Sequence, residues 1–263
     1  MFPNLFSIGP LTLHTYGLMA ALGVAAAITV TTLSAEKEGL TTDQVMDMAF
    51  IMILSAIIGA RLLYVLIKLP YYIKNPLEIF ELWHGGLVFS GGVIAVIISM
   101  ALYLKRHGLS FWKTGDLWAP GIAIGQAIGR IGCLMAGCCY GKPTRCILGI
   151  TFTNPDSLAP RGIPLHPTQL YSSAAGFVIF VILIILKSKK RFDGQVILWF
   201  FILHSTARLA IERFRGDYRG ILPGTNMTAT QFIALITLVT AVILLFVKKH
   251  QSEKQGRDKK TTT

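Results

Sequence analysis

Runs of about twenty apolar residues recur from one end of this chain to the other, and that repetition limits the possible folds more than any other feature. A helix needs about 20 residues to cross roughly 30 Å of hydrocarbon. Seven such runs fall at 14–34, 46–67, 86–104, 114–135, 169–187, 194–212 and 228–247. Only 14% of the residues are charged and 53% are hydrophobic, which leaves too few polar side chains to cover a water-facing surface. Backbone groups in lipid must satisfy one another, and the runs lack the period-two alternation of barrel strands. The expectation is an all-α, polytopic membrane helical bundle of about seven transmembrane helices with a small extracytoplasmic loop region. Residues 1–247 read as one integral membrane domain and residues 248–263 as a basic cytoplasmic tail.

Charge sets the orientation. The N-terminal stretch MFPNLFSIGPLTLH holds no Lys or Arg and no small-residue cleavage site, so the first run reads as retained. Of the Lys and Arg residues outside the runs or at their ends, fourteen lie in the connections after runs one, three and five and in the tail, against eight in the alternate connections. The positive-inside rule then puts the N-terminus outside and the C-terminus in the cytoplasm. The same asymmetry accounts for most of the net charge of +12. It reads as a topology signal and an attraction to anionic headgroups, not as a nucleic-acid surface.

The longest irregular stretch, residues 136–168, is rich in Gly and Pro and falls outside by this topology. Within it, TRCILGITFT is β-branched and aromatic and is expected to form a short strand. Unstructured connections of that length between packed elements are more often functional than idle.

Three arginines lie where lipid would be: Arg61 in IIGARLLYVLI, Arg130 in AIGRIGCLMAG and Arg208 in HSTARLAIERFRGD. A charge at mid-bilayer costs about 2.5–3.5 kcal/mol on insertion scales, so these side chains should face a protein interior or a wet cavity. Arg208, Glu212 and Arg215 are spaced i, i+4, i+7, which puts them on one helical stripe with a carboxylate between two guanidiniums. Such a stripe keeps unsaturated Arg forks for a phosphate, or else pins two helices together. Arg61 reads as a snorkelling or bracing residue.

Glycines concentrate in the same places. Gly121, Gly125, Gly129, Gly132 and Gly137 have near-helical spacing suited to close helix approach, whereas the doublets Gly85–Gly86 and Gly91–Gly92 point to a broken or kinked entry to the third run. Cys133, Cys138, Cys139 and Cys146 match no standard zinc spacing and read as disulfides or buried thiols. No metal and no cofactor is expected.

Taken in order, IGPLTLHTYGLMA, GARLLYV, GGLVFSGG, GRIGCLMAGCCYGKP, LHPTQLY and RLAIERFRGD resemble the motifs of the bacterial prolipoprotein diacylglyceryl transferase family, over about residues 8–220. The resemblance implies a multi-pass enzyme of the bacterial inner membrane. Such an enzyme moves the diacylglyceryl group of phosphatidylglycerol onto the lipobox cysteine of a prolipoprotein signal peptide. It also implies catalytic roles for Arg130, Arg208, His166, His14 and Tyr16, and substrate binding by Arg130, Arg208, Glu212, Arg215, Ser90, Gly91, Gly92, Gly141 and Tyr171. The chain departs from the usual pattern in having Ser90 where a His stands before the second GG, Cys133 and Cys138 where Asn and Glu stand, and His204 where a Tyr precedes the second arginine.

The residue chemistry suits that reading. The leaving phosphate's growing charge needs cations in a dry site, which Arg130 and Arg208 can supply, while the nucleophilic thiol must lose a proton. His14, His166 and His204 are the imidazoles that could take it, the first two ranking above the third. The competing class is a membrane transporter or binding protein for a small anion or lipid headgroup, against which the lack of an inverted repeat weighs. A thiol oxidoreductase built on the adjacent Cys138 and Cys139 ranks last, because adjacent cysteines exchange poorly.

Overall fold

The computed structural model describes residues 2–8, 11–81, 85–217, 220, 222, 224–225 and 227–261. Strands β1 (Asn4–Ile8) and β2 (Leu11–His14) form an antiparallel hairpin that leads straight into α1 (Thr15–Ala35). There follow α2 (Thr42–Ile67), the single turn α3 (Leu69–Tyr72), α4 (Phe89–Arg106) and α5 (Phe111–Ala136). Two-residue strands β3 (Ile150–Thr151) and β4 (Pro164–Leu165) then precede α6 (Thr168–Ser188), α7 (Gln195–Glu212) and α8 (Ala229–Thr261).

Helices α1, α2, α4, α5, α6 and α8 are long and apolar enough to cross a membrane, so the chain is an all-α polytopic membrane protein. Helix α7 lies where the sixth apolar run stands, and Gln195, His204, Arg208 and Glu212 dilute its apolar content. Two elements differ from expectation. The strand foreseen in TRCILGITFT shrinks to Ile150 and Thr151, because the stretch around it packs by side chains instead. The helix expected to end near residue 247 continues to Thr261, since Lys, Glu, Gln and Arg are all good helix formers.

The chain divides into two compact units, one of Met1–Thr31 and Gly115–Thr263, the other of Thr32–Thr114. In the first, α1 and α5 approach backbone to backbone. A Cβ built on Gly23 would lie 2.7 Å from the Gly125 carbonyl oxygen, and one on Gly121 2.6 Å from that of Ala27. Lipid tails are as apolar as leucine, so close van der Waals contact of this kind, not water exclusion, holds such helices together. Helix α6 joins them through the Ser173 hydroxyl, which donates to the Ala127 carbonyl at 2.8 Å. Helix α7 packs on α6 and α8.

The start of α7 is capped from a distant helix. Asp116 of α5 is fully buried, and its carboxylate accepts from the Gly194 amide at 2.7 Å and the Ile197 amide at 2.9 Å, with the Lys190 ammonium at 3.4 Å. Gly194 itself sits at φ 97°, where a side chain would be strained, so it cannot be replaced by an ordinary capping residue. Asp116→Ala would strand two helix-terminal amides and leave Lys190 with Asp193 at 3.2 Å but without its buried carboxylate, an expected loss of about 3 kcal/mol. It should appear as a lower thermal midpoint in detergent, with Asp116→Asn intermediate because it keeps one acceptor.

In the second unit, α2 and α4 meet through Gly59 and Gly91, whose backbones leave no room for a side chain on either, and through Gly92, where a Cβ would lie 2.9 Å from the Ala56 carbonyl oxygen. The doublet Gly85–Gly86 takes positive φ (79° and 77°) in the non-helical approach to α4, which bears out the interrupted entry to the third run. The doublet Gly91–Gly92 lies inside the helix. Arg61 is buried, and its guanidinium donates to the carbonyls of Ile79 at 2.9 Å, Gly85 at 2.7 Å, Gly86 at 3.3 Å, Glu81 at 3.2 Å and Glu78. It braces the connection between α3 and α4 by hydrogen bonds and does not snorkel.

Candidate functional site

Helices α5, α6 and α7 enclose a narrow cavity of about 30 Å³ lined by Gln126, Arg130, Ser172, Gly176, His204 and Arg208 among others. Two of the three arginines that the sequence places in lipid, Arg130 and Arg208, therefore share one compartment. Space of that size holds a water or two.

Each arginine is held differently. Arg208 pairs with Glu212 one turn on, at 2.7 Å, both largely buried, and Glu212 is oriented from α8's start by the Thr228 hydroxyl at 3.1 Å. Among the described residues Arg130 meets no carboxylate; its guanidinium donates to the Cys139 sulfur at 3.7 Å. One carboxylate against two guanidiniums leaves the cavity wall net positive.

The expected stripe of Arg208, Glu212 and Arg215 does not form, because α7 ends at Glu212. Arg215 has left the helix to bridge Gly141, and its guanidinium clasps Asp217 through two bonds, Nε to Oδ1 at 2.8 Å and Nη2 to Oδ2 at 2.7 Å. Glu212 thus serves Arg208 alone. Arg215 is buried and lies beside Cys139, its charge stabilised by burial-opposing contacts with Asp217 and that sulfur, which push its pKa up.

Three extended segments are laced together here. The Gly141 amide donates to the His166 carbonyl at 3.0 Å, the His166 amide to the Lys142 carbonyl at 3.0 Å, and the Lys142 amide to the Phe214 carbonyl at 2.8 Å. A Cβ on Gly141 would lie 2.8 Å from the Phe214 carbonyl oxygen and closer still to His166. Only glycine fits between the two neighbouring segments, so Gly141 acts here as a spacer. Leu134, Phe152, Ala159 and Leu165, with Tyr140 and Ile150 against them, form a small apolar core under the irregular stretch.

The cysteines converge at the C-terminal end of α5. None of the four forms a disulfide, and the sulfurs of Cys133, Cys138 and Cys139 all lie within 4.8 Å of one another, while Cys146 is exposed. Cys139 is the one non-glycine residue with positive φ (61°) among the described residues, and that left-handed turn brings adjacent sulfurs together. Hydrogen bonding with the Cys133 and Cys138 thiols, helped by Arg215, pulls the Cys139 thiol below its ordinary pKa, whereas hydrogen bonding with Cys133 and Cys139, together with burial, pushes Cys138 up.

The histidines separate. His204 lines the cavity, its ring stacked on Phe200 at 5.5 Å. His166 faces elsewhere: its Nδ1 is 3.2 Å from the Tyr171 hydroxyl and its ring lies edge-on to Phe214 at 5.2 Å. His14 is exposed, with Nδ1 2.8 Å from the Asn4 side-chain oxygen, and Asn4 also donates to Asp156 at 3.1 Å, tying the hairpin to the irregular stretch. Tyr16 is half exposed at the start of α1, packed beside Gly132 and within electrostatic reach of Arg130 and the three cysteines. Ser90, Gly91 and Gly92 belong to the other unit, where the two glycines serve the α2–α4 contact.

Sequence reasoning did not pick out Thr168 and Gln169. Both are fully buried at the start of α6, donating at 2.7 Å to the carbonyls of Cys139 and Cys138 respectively. Their signal was present in LHPTQLY: two polar residues opening an apolar helix need partners, and the adjacent cysteine backbone supplies them.

The family prolipoprotein diacylglyceryl transferase matches residues 3–247. The chain is similar to proteins named phosphatidylglycerol–prolipoprotein diacylglyceryl transferase. It is 36% identical to that of Clostridium tetani over 96% of this chain and 100% of the relative. It is 34% identical to that of Finegoldia magna over 94% and 95%. A second enzyme of that name in Clostridium perfringens is 31% identical over 95% of this chain and 96% of its own length.

Proposed function

The chain belongs to the prolipoprotein diacylglyceryl transferase family, and from that premise we propose that it transfers the diacylglyceryl group of phosphatidylglycerol to a prolipoprotein at the cavity between α5, α6 and α7. The observation that carries the assignment of the site is that Arg130 and Arg208 line one compartment, with Glu212 paired to Arg208 alone.

The acceptor is the lipobox cysteine of a signal peptide. Its sulfur attacks the diacylglyceryl carbon bonded to the phosphate oxygen; the S–C bond forms as the C–O bond breaks, and glycerol phosphate leaves carrying the added charge. Arg130 and Arg208 meet that charge where water is scarce, so their donors act at their strongest. Arg208 is the better fixed of the two, and Arg130 is the freer to turn onto a phosphate. The thiol proton goes to His204, the imidazole that lines the cavity. Ser172, also on the wall, can hold a phosphate oxygen by turning its hydroxyl away from the Thr168 carbonyl 2.7 Å off. The enzyme lies in the inner membrane with the N-terminal hairpin and residues 137–167 outside, as the placement of basic residues supports.

The test uses purified protein in phosphatidylglycerol vesicles with a peptide bearing a lipobox cysteine. Thioether-linked diacylglyceryl peptide and glycerol phosphate should form in equal amounts, and a serine peptide should yield none. Replacing the histidine (His204→Ala) should slow transfer about a hundredfold at neutral pH. The loss should shrink as pH rises past the ordinary thiol pKa of about 8.5, where the substrate ionises unaided. A loss equal at every pH would give His204 a packing role only, and anion uptake without lipidation would replace the transferase reading with a transporter.

A further inference from the structure

We propose that Cys133, Cys138 and Cys139 form a three-sulfur site for a soft d10 cation, with monovalent copper the best match. The sequence spacing fits no zinc motif, and the site exists only because the fold brings the three sulfurs together. Cys133 lies one turn before the end of α5, Gly137 ends the helix at φ 74°, and Cys139 turns back at φ 61°. Adjacent side chains ordinarily diverge; here all three sulfurs lie within 4.8 Å of one another. A trigonal ion with metal–sulfur bonds of about 2.3 Å separates its ligands by about 4 Å, so closure asks for movements of under about 1 Å.

The ligand backbone is fixed from outside. Buried Gln169 and Thr168 hold the carbonyls of Cys138 and Cys139 at 2.7 Å each, the kind of outer support that orients ligands at metal centres. Soft thiolates select copper(I) or zinc. Among the described residues the cluster contains three donors and no nearby His, Asp or Glu to complete a tetrahedron, which suits copper(I) better than zinc. A copper(I) trithiolate carries two negative charges. Arg130, 3.7 Å from the Cys139 sulfur, offsets part of that, as does Arg215, although Asp217 already shares its charge. Binding expels the thiol protons as the Cu–S bonds form. The bound ion would sit one hydrogen bond away from the transfer cavity.

The whole reduced protein in detergent, titrated anaerobically with copper(I) against a coloured copper(I) chelator, should take up one equivalent. Affinity should fall at least a hundredfold in Cys133→Ser, Cys138→Ser and Cys139→Ser and stay unchanged in Cys146→Ser, which is exposed and outside the cluster. X-ray absorption of the copper-loaded wild type should show three sulfur neighbours, a result that does not depend on any variant folding. Failure to compete with the chelator, a shell of nitrogen or oxygen, or binding that survives loss of Cys138 would each overturn the proposal, and exclusive uptake of zinc would overturn the choice of copper. None of these readouts depends on lipid transfer.

Discussion

Replacing Arg130 with alanine is expected to lower transfer to a lipobox peptide about a thousandfold, or about 4 kcal/mol of transition-state stabilisation. Its guanidinium reaches one sulfur and, among the described residues, no carboxylate, so removing it strands no buried carboxylate and the protein should keep its thermal midpoint. The loss should fall on kcat more than on KM, because the charge it meets grows as the C–O bond breaks. Arg208 is less clean to remove, since alanine there leaves Glu212 buried at 4% side-chain exposure without its cation. Lysine is the informative change at that position: the ion pair survives while the two-pronged grip on phosphate is lost. Full activity in Arg130→Ala would remove the cavity from the mechanism.

Arg61→Ala carries the second large effect, and it is one of stability. The side chain binds five backbone carbonyls between Glu78 and Gly86 from a buried position, stacked near Tyr64 and Tyr72. Deleting it leaves those acceptors without their donor, an expected cost of about 4 kcal/mol. Hydrogen exchange and proteolysis should rise within residues 76–86 before they rise elsewhere. Lysine should recover only part of the loss, because a single ammonium cannot reach carbonyls that a planar fork spans. Unchanged exchange in that connection would refute the bracing role.

The helices were legible because span length is imposed by the bilayer, and a twenty-residue apolar run has few other uses. The arginines were legible for the same reason: a guanidinium in AIGRIGCLMAG or HSTARLAIERF is costly unless a cavity receives it. Where reasoning went astray, local spacing was asked to stand for contacts between distant segments. Arg215 fits the helical stripe of Arg208 and Glu212 by arithmetic, yet the helix stops because its continuation is paired with Gly141, more than seventy residues earlier. Asp116 gave no warning of its partners at Gly194 and Ile197, since nothing in α5 tells which helix start will lie beside it. His204 ranked below His14 and His166 in the sequence, and of the three it is the one that lines the cavity. The cysteines read as disulfides or buried thiols, and nothing in their spacing foretold the left-handed turn at Cys139 that gathers three of them.

Helix α7 is anchored at one end and burdened at the other. Asp116 and Lys190 clamp its first turn, while Arg208 and Glu212 occupy its last two. The far end is fastened as well, because just past Glu212 the Lys142 amide donates to the Phe214 carbonyl at 2.8 Å and the Gly216 amide to the Tyr140 carbonyl at 3.1 Å. The helix is thus a beam on two supports, and Asp116 helps set where Arg208 stands without touching it.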